Sequence, residues 1–269
     1  MNRKLGLRDS SIELTRSWRG TLPAGGRDAL RQLAVLLICY GCYDLARIAV
    51  RGRQGAAMAN AQAIINAEKA VHLYVEPFIQ TMASHVHPLV LFMDWFYGNV
   101  HLPATILMIV WIYLYRHEAF AFMRNVFLTM NVLAMAAFAL LPVAPPRLVP
   151  TSGIVDTMYL YSSSNYHSGI LSFVTDQYAA MPSLHIGYAL FVSLGIYLLT
   201  TNRLARVLAV VYPTVVLAAI IITGNHYLID VVGGVIVLGV GFAANYGFAP
   251  QAAPEAVVVR VRDDERPGA

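Results

Sequence analysis

Long apolar runs separated by short polar connections occupy most of this chain. Six of the runs are about as long as, or longer than, the roughly 20 residues that a helix needs to cross a bilayer. Their ranges are 32–50, 87–115, 119–141, 182–200, 204–222 and 225–247. Gly98 and Pro103 predict a kink or break within the second run. The pattern therefore predicts an all-α, polytopic membrane protein with six transmembrane helices.

The segment 60–84 has a different pattern, because charged and ionisable residues interrupt its apolar positions. These residues are Glu68, Lys69, His72 and Glu76. Since such side chains are costly at the middle of a bilayer, the pattern predicts an amphipathic helix that lies in the membrane interface. A helix packed on the outer rim of the bundle is the alternative.

The chain divides into three predicted parts. Residues 1–31 form a basic N-terminal segment and residues 32–248 form the six-helix transmembrane domain. Residues 249–269 form a tail rich in proline and charge, which is predicted to be disordered. The longest polar stretch of the transmembrane domain is 143–180, which includes the run Ser162–Asn165 and Asp176.

Composition supports a membrane protein. Hydrophobic residues make up 58% of the chain, charged residues make up 13%, and the mean hydropathy is +0.58, whereas about a quarter of the residues in soluble proteins are charged. Binding to nucleic acid, another use of a basic segment, fits poorly beside so many apolar segments. Cys39 and Cys42 have no cysteine or histidine partners nearby in the sequence, so they are interpreted as small helix residues rather than as a redox or metal site.

The distribution of basic residues predicts the orientation. Seven of the 19 Lys and Arg residues precede the first apolar run. If this end is cytoplasmic, most of the others fall on the same side, as the positive-inside rule expects. Both termini are therefore predicted to be cytoplasmic, in a multi-pass protein of the plasma (inner) membrane. The stretch 143–180 and the turn Thr223–Asn225 then lie on the extracytoplasmic face.

Three polar clusters, at 142–147, 181–185 and 224–230, lie where these outer connections meet the predicted spans. In the third cluster, His226 and Asp230 are four residues apart at the start of a predicted helix, so they project from one face. The aspartate can accept the Nδ1 proton of the imidazole, which leaves Nε2 as a nucleophile. A buried His–Asp pair that joins helices, or half of a metal site, is the structural alternative.

The second cluster contains groups that suit a phosphate. Pro182 is expected in the first turn of a helix, and the exposed N–H groups of such a turn bind anions. Ser183 can donate a hydroxyl hydrogen bond to a phosphate oxygen. His185, as an imidazolium, can protonate a leaving alcohol.

Two further residues are candidates for the same site. Arg147 is the only Lys or Arg between residues 143 and 180, and its planar fork suits bidentate contact with phosphate. Contact with a lipid headgroup at the interface is its alternative. His101, near Pro103, either faces the site or bonds a carbonyl that the kink sets free.

A resemblance to a known family follows from these motifs. Pro182-Ser183-Leu184-His185 and Gly224-Asn225-His226-Tyr227-x-x-Asp230 resemble the second and third signature motifs of the type 2 phosphatidic acid phosphatase superfamily. Ala144–Arg147, His101-x-Pro103 and Glu76-Pro77 are similar to its branch named after fungal inositol phosphorylceramide synthases. The resemblance covers residues 60–240.

The resemblance implies a six-helix core that acts on a lipid phosphate or a phospholipid headgroup, without a metal or other cofactor. His226 is implied as the nucleophile that forms a phosphohistidine, with Asp230 as its orienter. His185 is implied as the general acid of the first step and the base of the second. Arg147 and Ser183 are implied as ligands of the phosphoryl oxygens.

Two positions depart from the superfamily pattern. The superfamily usually has a lysine seven residues before the arginine of its first motif, which is Arg147 here, and that position is Leu140. It usually has an arginine six residues before the histidine of its third motif, which is His226 here, and that position is Ile220. The predicted phosphate pocket therefore has fewer cations. Asn225, Tyr227 and His101 are candidates to supply the missing hydrogen-bond donors.

The leading hypothesis is a two-step transfer of phosphate from a membrane lipid to water or to a small alcohol such as a sugar or inositol. A CDP-alcohol phosphotransferase would need a cluster of aspartates for a divalent metal, and only Asp44-Leu45-Ala46-Arg47 partly matches one. The non-enzymatic alternative is a transporter or scaffold in which the two histidines and Asp230 form a proton relay or a structural network. The absence of an internal repeat in the sequence counts against a transporter.

Overall fold

A computed structural model describes residues 23–161 and 178–248 of the chain. Within those ranges the protein is all-α and has no strand, only an isolated parallel bridge between Val143 and Ala179. The α-helices are α1 (Gly25–Val50), α2 (Gln54–Ala70), α3 (Glu76–Ser84), α4 (His87–Asn99), α5 (His101–Tyr115), α6 (His117–Leu140), α7 (Thr157–Tyr161), α8 (Leu184–Leu199), α9 (Arg203–Ile222) and α10 (Leu228–Asn245). Short 3-10 helices occupy Arg51–Arg53, Pro146–Leu148 and Tyr246–Phe248.

The predicted all-α class is therefore confirmed for the described part of the chain. Several sequence predictions fall outside that part: most of the basic segment 1–31, the tail 249–269, and the loop residues Ser162–Asn165 and Asp176. Helix α1 begins seven residues before the predicted start of the first span. Its first turns are held by polar contacts, since Asp28 accepts a 3.0 Å hydrogen bond from Tyr113 on α5.

Three described helices, α6, α9 and α10, are long and apolar enough to cross a membrane. The pair α4 and α5 could form a fourth crossing as one bent span. Helix α8 is apolar but has 16 residues, which is about 24 Å at roughly 1.5 Å per residue, against a hydrocarbon core of about 30 Å. Length and composition thus support a membrane protein with up to four crossings in the described ranges, and six crossings remain a prediction.

The predicted break in the second run is present. Helices α4 and α5 meet at Val100 with a bend of 43°. Pro103 lies in the first turn of α5, where its missing N–H interrupts no intrahelical hydrogen bond. The bend turns the first residue of α5, His101, towards α8, as described below.

The prediction of one continuous amphipathic helix over 60–84 was wrong. The chain forms α2 and α3 with a break at residues 71–75, where His72 has a φ of +57° and Pro77 fits the first turn of a new helix. Glu68 and Glu76 also point into the protein, with 4% and 0% of their surface exposed. Each carboxyl group has a partner there, because one of its oxygens accepts a hydrogen bond from a backbone N–H group at the start of α10.

The main hydrophobic core lies between α5, α6, α8 and α10, with Met123, Val126, Met130 and Phe191 among its fully buried side chains. Helix α8 packs against α5, α9 and α10, and α10 packs against α6. A second cluster joins α2 to the segment around Val143 and to Tyr227. The start of α8, the start of α10 and the loop after α6 meet beside this second cluster.

Candidate active site

The starts of α8 and α10 are in direct contact, which brings the second and third polar clusters together. The backbone N–H of Ser183 donates to the carbonyl of Asp230 at 2.9 Å. A Cβ atom on Gly234 would lie 2.4 Å from the carbonyl oxygen of Ser183, and one on Gly233 would lie 3.0 Å from Pro182. Only glycine at position 234 permits this approach, so the Gly233-Gly234 pair sets the spacing of the two motifs.

His226 and Asp230 form the predicted pair, but not by sharing a helix face. His226 precedes α10, which begins at Leu228 with Tyr227 as its N-cap residue. Asp230 turns back toward the helix start, and its Oδ2 accepts from the backbone N–H of Tyr227 at 2.9 Å and lies 3.2 Å from His226 Nδ1. The pairing therefore depends on a helix cap, and it is shielded from solvent, since His226 is 5% and Asp230 0% exposed.

His185 lies on the other side of the His226 ring. Its Nδ1 is 3.2 Å from His226 Nε2, and the two ring centroids are 5.2 Å apart. Because the Asp230 carboxylate accepts at Nδ1 of His226, the hydrogen-bond network assigns the proton to that nitrogen and leaves a lone pair on Nε2. His185 Nδ1 then donates to this lone pair, so that Asp230, His226 and His185 form a continuous line.

His101 and Tyr97 enclose the His185 ring. Tyr97 stacks on it with centroids 4.5 Å apart and 22° between the planes, and the His101 centroid is 4.2 Å away. His101 Nδ1 is also 3.2 Å from the carbonyl oxygen of Tyr97, one turn back across the bend. The two readings of His101 are therefore both true, since it faces the site and also bonds a carbonyl at the break.

Arg147 reaches the same region from the loop after α6. Its Nε donates to Asp156 at 3.1 Å and its Nη1 donates to Asn225 Oδ1 at 2.5 Å. Asn225 is itself held, because its Nδ2 donates to Thr223 Oγ1 at 2.7 Å. Asn225, the residue before His226, thus holds the guanidinium, and its direct contact with phosphate stays a prediction.

Gly224 makes the turn that allows this arrangement. Its φ is +70°, and its carbonyl accepts from the backbone N–H of Arg147 at 3.0 Å. A Cβ at this position would lie 2.7 Å from Ile154 and 3.2 Å from the Cβ of Arg147. Both the backbone conformation and the lack of space require glycine here.

Ser183 is the N-cap residue of α8 and is fully buried. Its Oγ has no hydrogen-bond partner in the described part of the chain, and α8 begins with N–H groups that have no acceptor within the helix. Pro182 was predicted in the first turn but lies just before the N-cap. The helix start is nevertheless where the motif placed it, beside the two histidines.

Tyr227 does not join the histidines. Its ring is fully buried in the second hydrophobic cluster, packed with Ala61 and Ile65 of α2. Its role as a phosphate ligand stays a prediction, whereas its backbone N–H donates to Asp230 and its ring is part of the cluster that joins the start of α10 to α2. An aromatic residue at a motif position can serve packing as readily as binding.

The two departures from the superfamily pattern place no polar side chain in the site. Leu140 ends α6 with 79% of its surface exposed, and Ile220 is buried in the core. The carbonyl of Ile220 accepts from the backbone N–H groups of Asn225 and His226, at 3.0 and 3.3 Å. Arg147 is thus the only Lys or Arg that the described contacts bring to the motif residues.

Sequence reasoning missed Tyr97, Asp156 and the two glutamates Glu68 and Glu76. Burial, and then the neighbouring Glu76 carboxyl, raise the pKa of Glu68 to about 8. An ionisable residue in a largely apolar helix was the signal that could have identified the glutamates. Nothing in the sequence spacing indicates that Asp156 pairs with Arg147.

Residues 23–161 and 178–248 contain no group of three or more His, Cys, Asp or Glu side chains arranged to hold a metal ion. The side chains that the structure brings together are the line of Asp230, His226 and His185, with the His101 ring against His185. Arg147 is bonded to Asn225, the residue before His226. Chemically, this arrangement offers a nucleophilic nitrogen, an acid beside it and a nearby cation.

Comparison with known proteins identifies a family for the chain. A family model described as the PAP2 superfamily matches residues 62–244, which is more than half of the chain and includes every predicted site residue. Comparisons with curated proteins and with solved structures give no match.

Proposed function

This chain belongs to the PAP2 superfamily, which indicates a phosphatase-type enzyme, and we propose that it transfers the phosphate of a membrane lipid through a phosphohistidine on His226. The observation that carries the proposal is the line of Asp230, His226 and His185, with its 3.2 Å contacts on both sides of the His226 ring. A nucleophilic imidazole needs a hydrogen-bond acceptor that keeps the proton on one ring nitrogen, here Nδ1, and a lone pair on the other nitrogen that faces the substrate.

In the first step, His226 Nε2 attacks phosphorus, a P–N bond forms, and the bond from phosphorus to the oxygen of the leaving alcohol breaks. His185 gives its proton to that oxygen. Asp230 stabilises the positive charge that the His226 ring acquires. In the second step, water or an alcohol attacks phosphorus while His185 takes its proton, and the P–N bond breaks.

Substrate entry must separate the two histidines. At 3.2 Å, His185 Nδ1 and His226 Nε2 are within hydrogen-bond distance, so phosphorus cannot lie between them in this arrangement. The entering phosphate takes over the Nε2 lone pair, and His185 moves to the leaving oxygen. The ring contacts of His185 with Tyr97 and His101 are the ones that this movement changes.

Three groups are proposed to bind the phosphoryl oxygens. The Ser183 hydroxyl is buried and has no described partner, and the first N–H groups of α8 lie next to it. Arg147 donates from Nε to Asp156 and from Nη1 to Asn225. Its guanidinium has five N–H donors, so others remain for a phosphoryl oxygen. His101 supports His185 rather than contacting phosphate.

The proposed setting is the plasma (inner) membrane, with six crossings, both termini in the cytoplasm and the site on the extracytoplasmic face. The excess of Lys and Arg on the proposed cytoplasmic side supports this orientation. A cysteine at exposed Tyr159, in a chain without Cys39 and Cys42, should react with an impermeant reagent added to intact cells. Protection of that cysteine would overturn the orientation.

The lipid donor and the acceptor are proposed as a class. The resemblance of Ala144–Arg147, His101-x-Pro103 and Glu76-Pro77 to the inositol phosphorylceramide synthase branch supports a phospholipid donor and a small alcohol as acceptor. Water as acceptor makes the enzyme a phosphatase. Both reactions use the same two histidines.

The test is an assay of purified protein with a chelator present and a panel of diacyl, isoprenoid and inositol phospholipids. Both free phosphate and transferred headgroup are measured. We expect turnover that survives chelation and is abolished in His226→Ala, while His117→Ala, at the opposite end of α6, stays active. Turnover that requires a metal would favour a CDP-alcohol phosphotransferase, and no turnover of any lipid would favour a transporter or scaffold.

A further inference from the structure

Gln80 on α3 bonds two chain segments beside the candidate site. Its Oε1 accepts a 2.9 Å hydrogen bond from the backbone N–H of Val155, and its Nε2 donates to the carbonyl of Val155, also at 2.9 Å. The same Nε2 donates at 2.9 Å to the carbonyl of Ile222, the last residue of α9. Both hydrogens and the oxygen of this buried amide are therefore bonded to backbone groups.

These two segments carry the two acceptors that hold Arg147. Asp156 comes directly after the first bonded residue and accepts from Arg147 Nε at 3.1 Å. Asn225 comes three residues after the second and accepts from Arg147 Nη1 at 2.5 Å. The position of one acceptor relative to the other, and with it the plane of the guanidinium, thus depends on the bonds that Gln80 makes.

The two segments also contact each other at Gly224. A Cβ at this position would lie 3.1 Å from the carbonyl oxygen of Val155 and 3.2 Å from the Cβ of Arg147. The carbonyl that Gln80 binds is therefore part of the close contact between this segment and the turn that leads to His226.

Asp94 on α4 holds the chain on the other side of Asp156. Thr157 Oγ1 donates to Asp94 Oδ1 at 2.6 Å, and both residues are buried. Asp156 thus lies between a residue bonded to α3 and a residue bonded to α4. Its own carboxylate is oriented by a further bond, since Oδ1 accepts from the backbone N–H of Tyr159 at 3.0 Å.

We propose that Gln80 and Asp94 are positioning residues that hold the acceptors of Arg147 and so orient its guanidinium towards a phosphoryl group at His226. The inference rests on the proposed function, in which Arg147 binds the phosphoryl oxygens. A planar guanidinium forms its paired hydrogen bonds to phosphate only in a suitable orientation. Displacing its acceptors should therefore weaken this contact even though the positive charge remains.

A double-mutant cycle with Arg147 tests this role. Gln80→Met keeps the size of the side chain and removes its hydrogen bonds, so kcat/KM should fall by about tenfold. In an Arg147→Ala background the same change should cost less than about twofold, because the group that it misaligns is absent. Thr81→Ala, next to Gln80 on the exposed side of α3, is the matched control and should keep wild-type activity. A tenfold loss in both backgrounds would overturn the inference, since it would show that Gln80 supports the fold and not Arg147.

Variants of the second contact carry the same test if Gln80→Met does not fold. Asp94→Asn keeps an oxygen that accepts from Thr157 and should stay within about threefold of the wild type. Asp94→Leu and Thr157→Val remove this bond from either side, and each should lower kcat/KM by about tenfold with Arg147 present and less than about twofold in Arg147→Ala. An asparagine variant as impaired as the leucine variant would contradict the inference, because the charge of Asp94 would then be needed rather than its hydrogen bond.

Hydrogen–deuterium exchange gives a readout that does not depend on turnover. The backbone N–H of Val155 is bonded to Gln80, so the peptide that contains it should exchange about tenfold faster in Gln80→Met than in the wild type or in Thr81→Ala. Unchanged exchange would overturn the inference at any level of activity. If exchange behaves as expected but the wild type turns over no lipid phosphate, the positioning of this segment stands and the proposed function fails.

Discussion

Replacing Asp230 with asparagine separates the two tasks that the structure gives this residue. One oxygen, Oδ2, receives both the N–H of Tyr227 and the Nδ1 proton of His226. The amide oxygen of asparagine can occupy the same position and accept both bonds. The variant should therefore keep the helix cap and the tautomer of His226, and lose the negative charge.

The size of the loss follows from the 3.2 Å contact. Two unit charges at that separation attract by roughly 5 kcal/mol at an effective dielectric constant of about 20. The imidazolium charge is spread over the ring, so roughly 4 kcal/mol is a fair expectation, which corresponds to about a thousandfold in kcat. Asp230→Ala also leaves the Tyr227 N–H buried without an acceptor, which costs about 1–3 kcal/mol more.

The assay is single-turnover cleavage of a short-chain lipid phosphate in detergent, with binding measured separately. We expect Asp230→Asn to slow the chemical step by about a thousandfold with nearly unchanged binding, and Asp230→Ala to be slower still. Full activity of the asparagine variant would refute the reasoning, because it would mean that no positive charge develops on His226.

Three further predictions concern the surroundings of this pair. Arg147→Lys keeps the positive charge but cannot bond Asp156 and Asn225 at the same time, so kcat/KM should fall by about tenfold. Arg147→Ala should lower kcat/KM by about a hundredfold. Full activity of Arg147→Lys would show that the charge alone matters. Gly224→Ala should lower the free energy of unfolding by about 1–3 kcal/mol, measured by thermal unfolding in detergent, whereas Gly239→Ala, with open space around it, should not. The pKa of Glu68 rises on folding from 4.5 to about 8, so the folded state binds the extra proton between these values and its stability falls as the pH rises through that window; Glu68→Gln should flatten this slope.

The apolar pattern predicted much of the bundle, because burial in protein or lipid requires the same residues. Helices α6, α9 and α10 lie within a few residues of the predicted spans, and Pro103 marked the break before α5. The motifs around His185 and His226 were equally informative. Their residue types are unusual in apolar segments and therefore indicated a site.

Other features depend on contacts that spacing along the chain does not determine. The polar residues of α2 and α3 looked like a face turned to the membrane surface, yet Glu68 and Glu76 bind the start of α10. A pattern of polar residues shows that a partner is needed, but not which partner. The same holds for Tyr227, whose ring packs on α2, and for Arg147, whose countercharge Asp156 lies nine residues further on.

The most direct test of the central claim is to trap the intermediate. Protein mixed with a lipid phosphate and quenched at high pH within one turnover should carry phosphate on His226, located by mass spectrometry of its peptides, and the adduct should be stable to alkali and labile to acid. His226→Ala should carry none. Phosphate on His185 or on a serine, or an adduct that survives acid, would contradict the assignment of His226 as the nucleophile.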